Sequence, residues 1–159
     1  MNVGDKVPLI QFKATNGINT NLDQFHGQWL ILYFYPKDAT PGCTTQACDF
    51  RDNDKEFAFL NAIVLGVSRD KLTSHEKFKA SKNLPFELIS DPEEMLCESF
   101  DVIRMKSMYG KQVRGIERST FIIDPKGILQ HEWRKVTVDG HIEEVLVVLQ
   151  SLQRVYPHL

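Results

Sequence analysis

Trp29 to Tyr35 reads Trp-Leu-Ile-Leu-Tyr-Phe-Tyr, an unbroken apolar and aromatic run that ends at Pro36. Nothing else in the chain restricts the fold as tightly. A strand with one wet face alternates apolar and polar residues, whereas a continuous run of this length suits a strand covered on both faces. Such a strand needs a layer above and a layer below. Ala62 to Val67 and Thr120 to Ile123 are similar runs, and Ile128 to Trp133 alternates more, as a strand nearer an edge would. Helical patterns lie between them. Cys43, Ala47 and Phe50 share one helical face, and Lys71 to Lys82 is a polar helix with Phe78 turned inward. Glu93 to Phe100 is a short helix. Ile142, Val145, Leu146, Leu149 and Leu152 form the clearest stripe, with Asp139 as its expected N-cap. Strands alternating with helices predict an α/β fold, a central sheet flanked by helices. Asn16-Gly17, between Ile10–Ala14 and Ile18–Asn21, predicts an N-terminal β-hairpin, and Asp124-Pro125-Lys126-Gly127 a further turn. Both add antiparallel pairing, so the sheet is expected to be mixed.

With 159 residues and neither an internal repeat nor a Pro/Gly/Ser linker, one domain over residues 1–159 is the economical reading. Nineteen Lys and Arg against 21 Asp and Glu give a net charge of −2, which argues against a basic nucleic-acid binder. No apolar run approaches the roughly 18 residues of a membrane span. The first residues, Met-Asn-Val-Gly-Asp-Lys, lack the apolar core of a signal peptide, which favours the cytoplasm. There thiols stay reduced, and the odd cysteine count, Cys43, Cys48 and Cys97, does not suit a structural disulfide framework.

Chemistry concentrates in Tyr35 to Cys48, which leaves the buried strand and enters a helix. Thr40 followed by Pro41 fits an N-cap and a proline at the first helical position. Cys43 then lies in the first turn, where free N–H groups and the helix dipole favour the nucleophilic thiolate. A lone cysteine is most often a buried core residue, but Cys48 stands five positions on. In an intact helix such a pair has Cα atoms roughly 8–9 Å apart, beyond the reach of about 7 Å that a disulfide allows. A bond between them therefore requires the helix to open. The same four-residue gap disfavours a plain disulfide reductase built on Cys-x-x-Cys. Structural zinc lacks paired ligands among Cys97 and the scattered histidines. A copper-delivery site of Cys43, Cys48 and a histidine such as His131 remains as an alternative from another class.

Pro36-x-x-x-Thr40-x-x-Cys43 resembles the active-site motif of the peroxiredoxins, and Tyr33 to Asp52 looks like their Q-type, or bacterioferritin-comigratory, subfamily. The resemblance covers nearly the whole chain, with Gly66-Val67-Ser68, Leu88 to Asp91, Met108-Tyr109-Gly110 and Arg118 to Asp124 in family order. It implies a thioredoxin-like fold and peroxide reduction in antioxidant defence. It implies Cys43 as the peroxidatic cysteine, passing through a sulfenic acid, and Cys48 as the resolving one in an intramolecular disulfide. Thr40 matches the hydroxyl residue that bonds thiolate and peroxide, Pro36 the residue that shields the pocket, and Arg118 the supporting arginine. Backbone N–H groups of Gly42 and Cys43 would hold the peroxide. No metal or organic cofactor is expected. Thioredoxin or a similar dithiol is the implied reductant, and a monomer the implied state, with neither nucleic acid nor membrane as partner. Two positions depart from the pattern. Gln46 stands where many relatives carry Glu, and Val102 to Met105 lacks a tryptophan often found before Met-Tyr-Gly. Cys97 is expected to be a packed spare thiol.

Overall fold

The computed structural model describes residues 1–159. Its elements are β1 (Phe12–Ala14), β2 (Ile18–Thr20), β3 (Trp29–Phe34), α1 (Pro41–Asp52), α2 (Asp54–Phe59), β4 (Ala62–Ser68), α3 (Leu72–Lys82), β5 (Glu87–Ser90), α4 (Met95–Ser99), β6 (Ile103–Met108), β7 (Lys111–Ile116), β8 (Ser119–Ile123), β9 (Leu129–Trp133) and α5 (His141–Val155). Seven strands form one sheet in the order β2-β1-β5-β4-β3-β8-β9, and β6 and β7 form a separate ribbon. β3 pairs parallel with β4, and β4 with β5, while β1–β2, β1–β5, β3–β8 and β8–β9 are antiparallel. The sheet is therefore mixed, flanked by helices, and thioredoxin-like, with β9 at an edge as its alternation suggested.

β3 is central because it has no wet face. Leu30, Leu32 and Phe34 enter a core with Phe100, Phe121 and Leu129; Trp29, Ile31, Tyr33 and Tyr35 enter the other, with Phe50, Phe57, Phe78 and Val145. Period-2 alternation sends successive side chains into two different layers. The second core is roofed by α1, α2, α3 and α5. The hairpin at Asn16-Gly17 forms, with φ of 63° and 72° at those residues.

Three features differ from the sequence reading. Gly140 in the left-handed region, not Asp139, occupies the N-cap of α5. Thr40 sits at the N-cap of α1 with extended backbone, but its side chain makes no capping bond. The β6–β7 ribbon was not foreseen, because Ile103 to Ile116 is exposed on most of both faces and lacks the alternation that marks a half-buried strand. Its turn, Tyr109-Gly110, has φ of 52° and 78°, as a two-residue hairpin loop requires.

Sheet topology decides what meets at the site. The parallel strands β3, β4 and β5 end on one edge, and the chain then supplies Asp38, Asp70 and Asp91. β8 runs antiparallel to β3 with Ser119 opposite Phe34. Arg118, just before β8, is thereby delivered to the edge where β3 gives way to α1.

Candidate active site

Cys43 is the third residue of α1 and 2% exposed. The first bond of the helical ladder runs from Thr44 N–H to Thr40 C=O at 2.8 Å. The N–H groups of Gly42 and Cys43 lie ahead of that ladder, as orphan donors at a helix start. Arg118 Nη2 donates to Cys43 Sγ at 3.4 Å, and Nη1 donates to Gln46 Oε1 at 2.6 Å. Gln46, one turn after Cys43 and fully buried, holds the guanidinium by its second nitrogen and so fixes its plane. Gly42 makes room for this approach: a Cβ there would lie 3.2 Å from Arg118 Nη2. A permanent cation and a helix start thus converge on one buried sulfur, the arrangement that stabilises negative charge on it.

Pro36 and Arg118 line a hollow of about 320 Å³ with Lys106, Glu117, Lys135 and Val136. Thr40 is near the helix start, and its hydroxyl donates to the Lys37 carbonyl at 2.9 Å. Its single proton is committed there, so the oxygen keeps its lone pairs for an incoming donor. Neither Cys43 nor Thr40 lines the 320 Å³ hollow, and a larger one of about 550 Å³, between α1 and α3, holds neither Cys43 nor Arg118.

Cys48 is half-buried in the same helix, and all three cysteines are free thiols. α1 is continuous through both residues, so the pair is held apart. The far half of α1 is well anchored. Phe50 stacks on Tyr33 at 4.6 Å, and Arg51 Nη1 donates to Lys82 C=O at 2.8 Å. The near half rests on Cys43, Ala47 and the Arg118 bonds.

The copper set does not assemble. His131 lies on β9 with its ring 4.4 Å from that of Trp133, and the one cluster whose ligand atoms converge within 4.8 Å is Asp38, Asp70 and His75. Arg118 on Cys43 Sγ would also repel a cation. Cys97 is buried in α4, and burial, followed by the Asp91 carboxylate, pushes its thiol far up.

Sequence reasoning assigned no role to several buried polar groups here. Gln46 was noted only as a departure from a family pattern. Tyr33 Oη and Gln46 Nε2 are buried without partners, and burial, then the nearby Cys43 charge, raises Tyr33 well above an ordinary phenol. Asp38 and His75 were given no role, yet both are buried and bonded to each other. They are 37 residues apart, so no local spacing reveals the pair. An acid between an apolar strand and a helix was the only available hint.

Residues 3–132 match the AhpC/TSA family. The chain is similar to Peroxiredoxin Bcp of Bacillus subtilis, 49% identical over 150 residues, 94% of this chain and 96% of the relative. It is 51% identical over 142 residues to Peroxiredoxin Bcp of Xanthomonas campestris pv. campestris, covering 89% of each. Among solved structures, Xanthomonas campestris Peroxiredoxin Q superposes with a TM-score of 0.86 at 47% identity, over 91% of this chain and 96% of that one. A structure concerned with alkyl peroxide reduction by the Xanthomonas campestris bacterioferritin comigratory protein gives a TM-score of 0.86 at 46% identity, over 92% and 98%.

Proposed function

This chain belongs to the AhpC/TSA family and is a thiol peroxidase of the peroxiredoxin kind, and we propose that Cys43 is its peroxidatic cysteine and Cys48 its resolving cysteine. The observation that carries this assignment is the Arg118 guanidinium 3.4 Å from a buried Sγ in the first turn of α1. The Cys43 thiolate attacks the terminal oxygen of the peroxide. The O–O bond breaks, the sulfur loses two electrons and becomes a sulfenic acid, and the leaving oxygen takes a proton to depart as water or alcohol. Arg118 and the N–H groups of Gly42 and Cys43 face the charge that moves onto the leaving oxygen. Thr40 Oγ1 accepts from the peroxide O–H and aligns it for attack. Pro36 stands with Arg118 in the wall of the adjoining hollow, in keeping with a shielding role.

The N-terminal turns of α1 then open. Cys48 attacks the Cys43 sulfur, the S–O bond breaks, water leaves, and a disulfide forms. A dithiol protein, thioredoxin or one like it, returns two electrons by exchange. The cycle needs a reducing compartment, consistent with the cytoplasm, and a monomer carries every residue used. Organic hydroperoxides belong to the substrate range, supported by the alkyl peroxide chemistry of the Xanthomonas campestris relative. Reduced protein mixed with peroxide should yield a Cys43–Cys48 disulfide by intact-mass and peptide mapping, and should consume NADPH in a thioredoxin-coupled assay. A disulfide that uses Cys97 instead would overturn the assignment of Cys48.

A further inference from the structure

The connection from β3 to α1 is short and carries Pro36 and Thr40, yet its anchor is neither. Asp38 is almost fully buried, and its carboxylate is bonded from three sides. Tyr35 Oη donates to Oδ1 at 2.6 Å, Ser74 Oγ donates to Oδ2 at 2.8 Å, and His75 Nδ1 meets Oδ2 at 2.7 Å. His75, wholly buried in α3, has its other nitrogen 3.0 Å from the Ile89 carbonyl of β5. Burial by itself would raise Asp38, but the bonds from His75, Tyr35 and Ser74 outweigh it and hold the carboxyl below its ordinary range. One residue thus ties the loop to Tyr35 just after β3, to α3 and, through His75, to β5.

The backbone of the same residue leads to the site. Asp38 N–H donates to Asp70 Oδ2 at 2.9 Å, and Asp70 is itself bonded by Ser68 Oγ at 2.5 Å. The other side of that peptide plane is the Lys37 carbonyl, which accepts the Thr40 hydroxyl at 2.9 Å. One rigid amide therefore has its N–H fixed by Asp70 and its C=O fixing Thr40. Ala39, between them, has φ of 62°, a conformation that costs a non-glycine residue about 1–2 kcal/mol. It persists because the neighbours on either side over-determine it.

We propose that the Asp38–His75 pair is a positioning device for catalysis: by fixing the Lys37–Asp38 peptide it directs the Thr40 hydroxyl, and so the acceptor that aligns the peroxide on Cys43. Asp38 and His75 act through Thr40 and do not touch the reacting atoms. The inference rests on the assignment of Cys43 and Thr40 above.

The test measures single-turnover oxidation of Cys43 by hydrogen peroxide, per folded molecule and well below each variant's melting temperature. His75→Leu should slow this step about tenfold, since a misplacement on the order of 1 Å costs up to about 100-fold. His75→Asn, whose amide can replace Nδ1 as donor to Asp38, should recover most of the rate even if its melting temperature stays low. In a Thr40→Val background, His75→Leu should have no further effect on the rate, because the group it positions is gone. Ser74→Ala and Tyr35→Phe, which each remove one bond to Asp38, serve if His75→Leu fails to fold, and should slow the step about twofold to threefold. An unchanged rate per folded molecule in all these variants, or equal slowing with and without Thr40, would overturn the proposal. Failure of the unmodified protein to oxidise at Cys43 would instead sink the underlying assignment.

Discussion

Cys43 and Cys97 are both free, both buried and both near the start of a helix, yet their surroundings are opposite. Cys43 faces the Arg118 guanidinium at 3.4 Å. Cys97 shares its pocket with Asp91, whose carboxylate accepts the Cys97 N–H at 2.8 Å and the Leu96 N–H at 3.2 Å. The start of α4 is thus already taken by a fixed anion, and the charge repels a thiolate. Burial raises the cost of ionising any thiol, and an adjacent cation offsets that cost where an adjacent anion adds to it. Burial is the larger cause at Cys97 and the Asp91 charge adds to it; what differs between the two sites is the sign of the charge beside the sulfur.

The largest effect comes from removing the first of the pair. Cys43→Ser should abolish peroxide consumption, read as loss of activity in a coupled NADPH assay, while retained turnover would break the contrast. Cys48→Ser should leave one peroxide reduced per Cys43 in a stopped-flow trace and then stall thioredoxin-dependent cycling; full cycling would assign resolution to Cys97 or an external thiol. Arg118→Gln removes the cation and keeps much of the side chain's bulk. It should lower the second-order rate with hydrogen peroxide by about 10²–10³-fold, the range for losing a preorganised donor.

Acid provides a test through a neighbour of the same cation. His141 is buried, bonded to Thr120 Oγ1 at 2.8 Å, and depressed to about 4 chiefly by burial, which outweighs the opposing Glu144 charge, with a smaller lowering by the Arg118 charge. Its unfolded value is about 6.5, so the unfolded chain binds the extra proton first. Stability contributed by the neutral ring is present above that value and is lost as pH falls toward 4. The displacement corresponds to about 3 kcal/mol, read as a falling melting temperature over that window. Asp38, held low, adds loss only below the ordinary carboxylate range. The smallest effect is at the second cysteine. Cys97→Ala should leave peroxidase activity within about twofold while costing about 1 kcal/mol for a small cavity in denaturant melts.

Much of this molecule is legible from local pattern. The run from Trp29 to Tyr35 required a strand with two covered faces. Thr40-Pro41 placed Cys43 in a first helical turn, and the spacing to Cys48 required that helix to open before the two could bond. These depend on periodicities and chain geometry within a few residues. The β6–β7 ribbon escaped because exposure on both faces leaves no hydrophobic pattern to read. Gly140 displaced Asp139 as the cap of α5 because the left-handed turn there favours a residue without a Cβ.

What the sequence by itself determined is the layering, the helix start under Cys43 and the separation of the two cysteines, since each is set by residues adjacent in the chain. Only tertiary structure decided that Arg118 meets Cys43, through the antiparallel pairing of β8 with β3. It also decided that Gln46 grips the other guanidinium nitrogen and that His75 clamps Asp38 beneath Thr40. Those contacts join residues dozens of positions apart, and their energy depends on distance and burial, which strand order fixes and local pattern does not.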